Sequence, residues 1–224
     1  MFEAVLFDKD GTLIDFHTTW DAAVVAALRA SAFGKAQLRL AADALHVDLS
    51  TETIRPSSPV IAESNDTVIE LLGDFVDIEC FGEVMLDVSV TQVVAAPGVD
   101  DALSALAGLG VPCAVVTNDW EDIAHSQLVM LGWGDRFQAT VGSDSGFGAK
   151  PEPGMIIGAA GRLGVNPSRT VVVGDSVHDV DAGRSAGAAT VLVTNGNAAG
   201  VAGERSDYVI AGMSELLGVL GLSE

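Results

Sequence analysis

Cysteine is nearly missing from this chain, and the two present, Cys80 and Cys113, lie too far apart for a disulfide framework or a zinc site. Cys113 falls inside an apolar run, where a small buried thiol is expected. Basic side chains are scarce too: 11 Lys and Arg stand against 31 Asp and Glu, a formal net charge of −20. Nucleic acid and anionic membrane surfaces both need clustered cations, so neither is expected as a partner, and solubility is the plainer reason for the charge. Acids or arginines interrupt every long apolar stretch, and no basic segment leads into an apolar one at the amino terminus, so a cytoplasmic location is expected. Apolar residues are what the chain has in plenty. At 49% hydrophobic with a mean hydropathy of +0.39, its 224 residues have ample material for a core, as one α/β domain with an insertion or as two small domains.

Short Val-rich runs near 3–8, 112–117, 170–174 and 189–193, bounded by Gly, Pro or Asp, read as fully covered parallel strands. Helical stretches at 99–109, 120–131, 153–163 and 179–186 separate them, which predicts a doubly wound parallel α/β sheet. Residues 207–210 add an edge strand and 213–220 a closing helix. From about 15 to 92 the rhythm breaks: Trp20, Val24, Ala27 and Leu28, then Leu38, Ala41, Ala42 and Leu45, recur at helical spacing. A Pro/Ser-rich loop at 55–59 and a helix near 67–75 follow. The expected division is a core of 1–15 and 93–224 with a helical insertion at 16–92.

Polar residues cluster where the apolar runs end. Asp8-Lys9-Asp10-Gly11-Thr12 follows Ala4-Val5-Leu6-Phe7, and in open α/β sheets ligands bind beyond the carboxyl ends of the strands. Two carboxylates two residues apart can divide labour, one ionised as nucleophile and the other as general acid. Gly11-Thr12 turns the chain and is expected to offer backbone N–H groups to an anion. The pentapeptide alone also fits an ordinary Asp-Gly turn. Three further polar positions follow in order: Thr117-Asn118 after one run, Lys150-Pro151 after a Gly-rich loop, and Asp175 to Asp179 after Gly174.

This ordered set resembles the haloacid dehalogenase superfamily, in particular its phosphoglycolate phosphatase-like branch with a small α-helical cap inserted after the first motif. The resemblance implies a Mg²⁺-dependent phosphatase of a small phosphorylated metabolite, with phosphoglycolate the leading substrate. It makes Asp8 the nucleophile that carries an aspartyl-phosphate, Asp10 the acid and base, and Thr117 and Lys150 the groups that steady the phosphoryl transfer. Asp10, Thr117, Asn118 and Lys150 would contact the phosphate, with Asn118 also capping the next helix. Asp8, Asp10 through its carbonyl, and Asp175 would hold the metal, with Asp179 behind them or linked through water. The side chain of Lys9 is expected to pack or reach solvent, and Asp119, Glu121 and Asp122 to serve a helix's first turn. Within the cap, Arg55, assisted by Ser57 and Ser58, and His17 are candidates for choosing the substrate. A sugar phosphomutase and a non-catalytic phospho-ligand binder are the alternatives, although Thr12 is more typical of phosphatases and the motif residues are all present. A P–C bond hydrolase would require Lys35 as a Schiff-base lysine. Monomer and homodimer stay open.

Overall fold

The computed structural model describes residues 2–63 and 65–222, and its chain gathers into two compact units, Met1–Ile14 with Ala95–Glu224 and Asp15–Val94. Strand β1 (Ala4–Phe7) opens the first unit. The second unit runs through α1 (Phe16–Ser31), α2 (Lys35–Ala44), β2 (Val47–Asp48), β3 (Thr53–Ile54), α3 (Pro59–Ala62), α4 (Asn65–Leu72) and α5 (Ile78–Thr91). The chain then completes the first unit with α6 (Val99–Gly108), β4 (Cys113–Val116), α7 (Glu121–Met130), β5 (Ala139–Val141) and α8 (Gly154–Leu163). It ends with β6 (Thr170–Gly174), α9 (Val177–Ala186), β7 (Ala189–Val193), α10 (Gly200–Arg205), β8 (Tyr208–Ile210) and α11 (Leu216–Val219).

Six parallel strands form the sheet of the first unit, in the order β5-β4-β1-β6-β7-β8. Helices cover both faces of such a sheet, so its central strands lose the polar alternation of a half-exposed strand. Every residue of β1, β4 and β6 is buried. On one face Leu6, Ala114, Val116 and Val172 pack with Met155, Ile156 and Ala159 of α8 and Ala182 of α9. Each large side chain buried this way contributes about 1.5–3 kcal/mol of hydrophobic stabilisation. Cys113 is buried as expected, and desolvation pushes its thiol up to about 12.

From β1 the chain steps to β4 and β5 on one side, then returns to β6, β7 and β8 on the other. That reversal opens a crevice at the carboxyl ends of β1, β4 and β6. Register brings those ends level, because Phe7 pairs with Val115 on one side and Val173 on the other. Asp8, Thr117 and Asp175 therefore leave their strands within a step or two of a common line.

Three elements depart from the expectation. Strand β5 is only three residues at a sheet edge, too short and too polar around Gln138 and Thr140 to stand out as an apolar run. The stretch expected as one closing helix at 213–220 divides into a 3₁₀ turn, Met213–Glu215, and α11. In the second unit, β2 and β3 form a two-residue antiparallel ladder pairing Val47 with Ile54, so the 55–59 loop follows a strand rather than a helix. Asp15 caps α1 by accepting from the Thr18 amide at 2.8 Å, and Asp77 caps α5 the same way from Cys80.

Candidate active site

The Lys150 ammonium is the hub of the crevice. It donates to Asp8 Oδ1 at 2.5 Å, to Asp179 Oδ1 at 2.6 Å and to the Val116 carbonyl at 3.0 Å, and only 7% of the residue is exposed. The Asn118 side chain clamps the loop that carries it, accepting from the Lys150 amide at 2.9 Å and donating to its carbonyl at 3.1 Å. Helix α7 is instead capped at Trp120, without a side-chain bond, so the expected capping by Asn118 is corrected: its amide is already committed to Lys150. Asp179 is fixed from the other side. A capping box at the start of α9 joins the Ser176 hydroxyl and amide to Asp179 Oδ2 at 2.6 and 3.1 Å, leaving Oδ1 for the lysine.

Asp8, Asp175 and Asp179 can each present a carboxylate oxygen such that all three lie within 4.8 Å of one another. Two glycines make this packing possible. At Gly11, with φ +84°, a Cβ would overlap the Asp175 carboxylate, and at Gly174 it would overlap the Asp179 side chain. The Gly11 amide donates to the Ile14 carbonyl at 3.0 Å and the Thr12 amide to Lys9 at 3.3 Å. Those amides close the turn, so the expectation that they serve an anion is corrected. The turn is also tied from β7's side, where Asn195 donates to the Gly11 carbonyl at 2.7 Å.

Asp10 stands beside this cluster. Its Oδ2 accepts from the Thr117 hydroxyl at 3.5 Å, and the oxygen of that hydroxyl accepts from the Asp119 amide at 3.1 Å. Lys9, expected to pack or reach solvent, is fully buried and bound by Asp10, Asp119 and Gln127. Asp119 is a buried partner of Lys9, and its other oxygen accepts from the Trp120 amide at 2.8 Å where α7 begins.

Electrostatics describe a site short of positive charge. Burial pushes the Asp8 carboxyl up to about 7; Lys150 pulls it down, while Asp179 and Asp10 add to the rise. Asp175 is exposed as a residue, yet its carboxyl is also held well above the usual carboxylate range, by desolvation and by Asp8 and Asp179. For Lys150 burial favours the neutral amine, but Asp179 and Asp8 outweigh it and hold the ammonium charged. Hard carboxylate oxygens with surplus negative charge suit a small divalent cation, and with Asp179 engaged by Lys150 and Ser176, Asp8 and Asp175 are the pair that fits Mg²⁺.

The haloacid dehalogenase-like hydrolase family model matches residues 2–187. The chain belongs to the haloacid dehalogenase-like hydrolases. A phosphoglycolate phosphatase of Xylella fastidiosa is 34% identical over 184 residues, 82% of this chain and 76% of that protein. The pyrophosphatase PpaX of Bacillus velezensis is 30% identical over 221 residues, 98% of this chain and 96% of that one. The crystal structure of a haloacid dehalogenase phosphatase from Thermococcus onnurineus shares the fold, with a TM-score of 0.71 over 98% of both chains at 23% identity.

The candidates in this hydrolase's helical unit have partners of their own. Arg55 is largely exposed and pairs with Asp48 at 3.3 Å. The Ser50 hydroxyl and amide, the Thr51 amide and Arg55 hold Asp48 below the usual carboxylate range. His17 Nδ1 lies 3.2 Å from Asp21 one turn along α1. Ser57 bonds His46. Ser58 is buried, donating to the Leu45 carbonyl at 2.5 Å and accepting from the Val60 amide at the start of α3, so it is corrected from substrate contact to helix cap. The Lys9, Asp119, Gln127 group and Asn195 were not anticipated; only the Asn195-Gly196 turn signal after β7 hinted at any of them.

Proposed function

We propose that this chain, a phosphatase of the haloacid dehalogenase-like hydrolases, cleaves small phosphate monoesters through an aspartyl-phosphate on Asp8, with Mg²⁺ as cofactor. The observation that carries the reading is the pairing of Asp8 with the buried Lys150 ammonium inside a three-carboxylate cluster at the sheet's switch point. Asp8, Asp175 and the Asp10 carbonyl would hold the metal, and Asp179 would orient Lys150 from behind. When bound, Mg²⁺ supplies the positive charge that lets a carboxylate approach a phosphate dianion.

In the first step an Asp8 carboxylate oxygen attacks phosphorus, the ester P–O bond breaks, and the Asp10 carboxyl passes its proton to the departing alkoxide. In the second, Asp10 takes a proton from water as the water oxygen attacks the same phosphorus. The Asp8–phosphate bond breaks, releasing inorganic phosphate and restoring the carboxylate. Thr117 offers its hydroxyl proton to a phosphoryl oxygen, and Lys150 balances the charge of Asp8 and of the group in flight. Phosphoglycolate is the first substrate to test, as the relative from Xylella fastidiosa suggests. The helical unit is proposed as the cap that chooses the substrate, with Arg55 and His17 its candidates, and the cytoplasm is proposed as where the reaction runs.

A panel of phosphorylated metabolites with Mg²⁺ tests the substrate. Asp8→Asn should abolish turnover with the fold intact, and Asp10→Asn with p-nitrophenyl phosphate should trap phosphate on Asp8, since that leaving group needs no acid. Turnover retained in Asp8→Asn would end the covalent reading.

A further inference from the structure

We propose that Lys9 is a positioning residue that fixes the Asp10 carboxylate, with Asp119 and Gln127 holding the lysine in place. The inference rests on the acid–base role given to Asp10 above. Lys9 is fully buried beside the crevice. Its ammonium reaches Asp10 Oδ2 at 3.0 Å and Oδ1 at 3.2 Å, Asp119 Oδ2 at 2.9 Å, and the Gln127 side-chain oxygen.

A methionine or leucine would fill this volume without desolvating a charge, so packing does not explain a lysine here. What the ammonium adds is a grip on both oxygens of one carboxylate. A carboxylate that moves protons between a leaving oxygen and a water must face both, and contacts to both of its oxygens set that facing. Asp119, just beyond β4, and Gln127, on α7, anchor the other end of that grip. The two buried lysines thus divide the motif's carboxylates: Lys150 binds Asp8, and Lys9 binds Asp10.

The test uses the full chain with Mg²⁺ and rapid-quench kinetics on two substrates, p-nitrophenyl phosphate and phosphoglycolate. Lys9→Met should keep the first-turnover release of p-nitrophenolate within about threefold, because that step needs no acid. Later turnovers should fall on the order of a hundredfold, the scale of a misplaced reacting group, with phosphate accumulating on Asp8. On phosphoglycolate the first turnover should slow as well, lowering kcat with little change in KM. Gln127→Met, which keeps every charge, should show the same pattern at about tenfold, and it decides the matter if Lys9→Met fails to fold. Burst amplitude and turnover falling together in both variants would make Lys9 merely structural, and wild-type kinetics in both would equally overturn the proposal. Asp10→Asn serves as the reference. Phosphate trapped on Asp8 there, with normal Lys9 variants, refutes only the present inference; no phosphate trapped in any variant refutes the covalent mechanism and this inference with it.

Discussion

Removing the carboxylate of Asp8, the proposed nucleophile, should stabilise the metal-free protein. Asp8 titrates near 7 in the fold instead of 3.8, so folding must carry an ionised carboxylate in a place that resists it. A carboxyl raised in the folded state lowers stability as pH climbs between those two values. In the metal-free protein the contribution of Asp8 should therefore be most favourable below about pH 4 and be lost up to about pH 7, after which it levels off. The full rise corresponds to about 4 kcal/mol at neutral pH. Asn at position 8 removes that burden but leaves Lys150 with one carboxylate fewer and a less suitable acceptor at 2.5 Å, so a net gain of about 1–3 kcal/mol is expected. In a chain of this size that raises Tm by roughly 3–10 °C. The assay is thermal unfolding of wild type and Asp8→Asn in excess chelator at pH 5 and pH 8. The gain should be larger at pH 8, and part of the slope should survive in the variant because Asp175 is raised too. Saturating Mg²⁺ should narrow the difference, since ligand at about a hundred times Kd adds about 2.7 kcal/mol to whichever form binds it better. A lower Tm for Asp8→Asn than for wild type in chelator at pH 8 would refute the reasoning.

Chelation should remove phosphatase activity and Mg²⁺ should restore it, with Ca²⁺ inhibiting through its looser coordination; full activity in excess chelator would rule out the metal. Arg55→Ala should lower kcat/KM on the physiological substrate by roughly 1.5–3 kcal/mol while sparing p-nitrophenyl phosphate, measured by parallel kinetics, and equal loss on both would make it a structural residue. The Thr12 hydroxyl is buried with no hydrogen-bond partner among the described residues. Thr12→Val, similar in shape, should therefore raise stability by about 1 kcal/mol in a denaturant titration, and a clear loss would show that the hydroxyl is satisfied in solution.

Much of the site can be read from the chain because a covered parallel strand leaves a plain signature. Its apolar run stops where the backbone emerges, and the next residues face the crevice, so Asp8, Thr117 and Asp175 are marked by position alone. The Val-rich runs at 170–174 and 189–193 coincide with β6 and β7 for the same reason. A three-residue edge strand such as β5, or the β2–β3 ladder, buries too little to leave that pattern.

Partners of long side chains were decided only in three dimensions. Lys9 meets Asp119 and Gln127 across separations of 110 and 118 residues, and no local pattern distinguishes it from a surface lysine. Asn118 looked like a helix cap, yet the Lys150 loop reached its amide first. The amino-acid sequence by itself determined which residues stand at the strand ends, because hydrophobic period and strand length are local properties. The tertiary structure decided which charges share a dry space, because a buried ammonium or carboxylate must be matched by whichever groups the fold brings within about 3 Å of it.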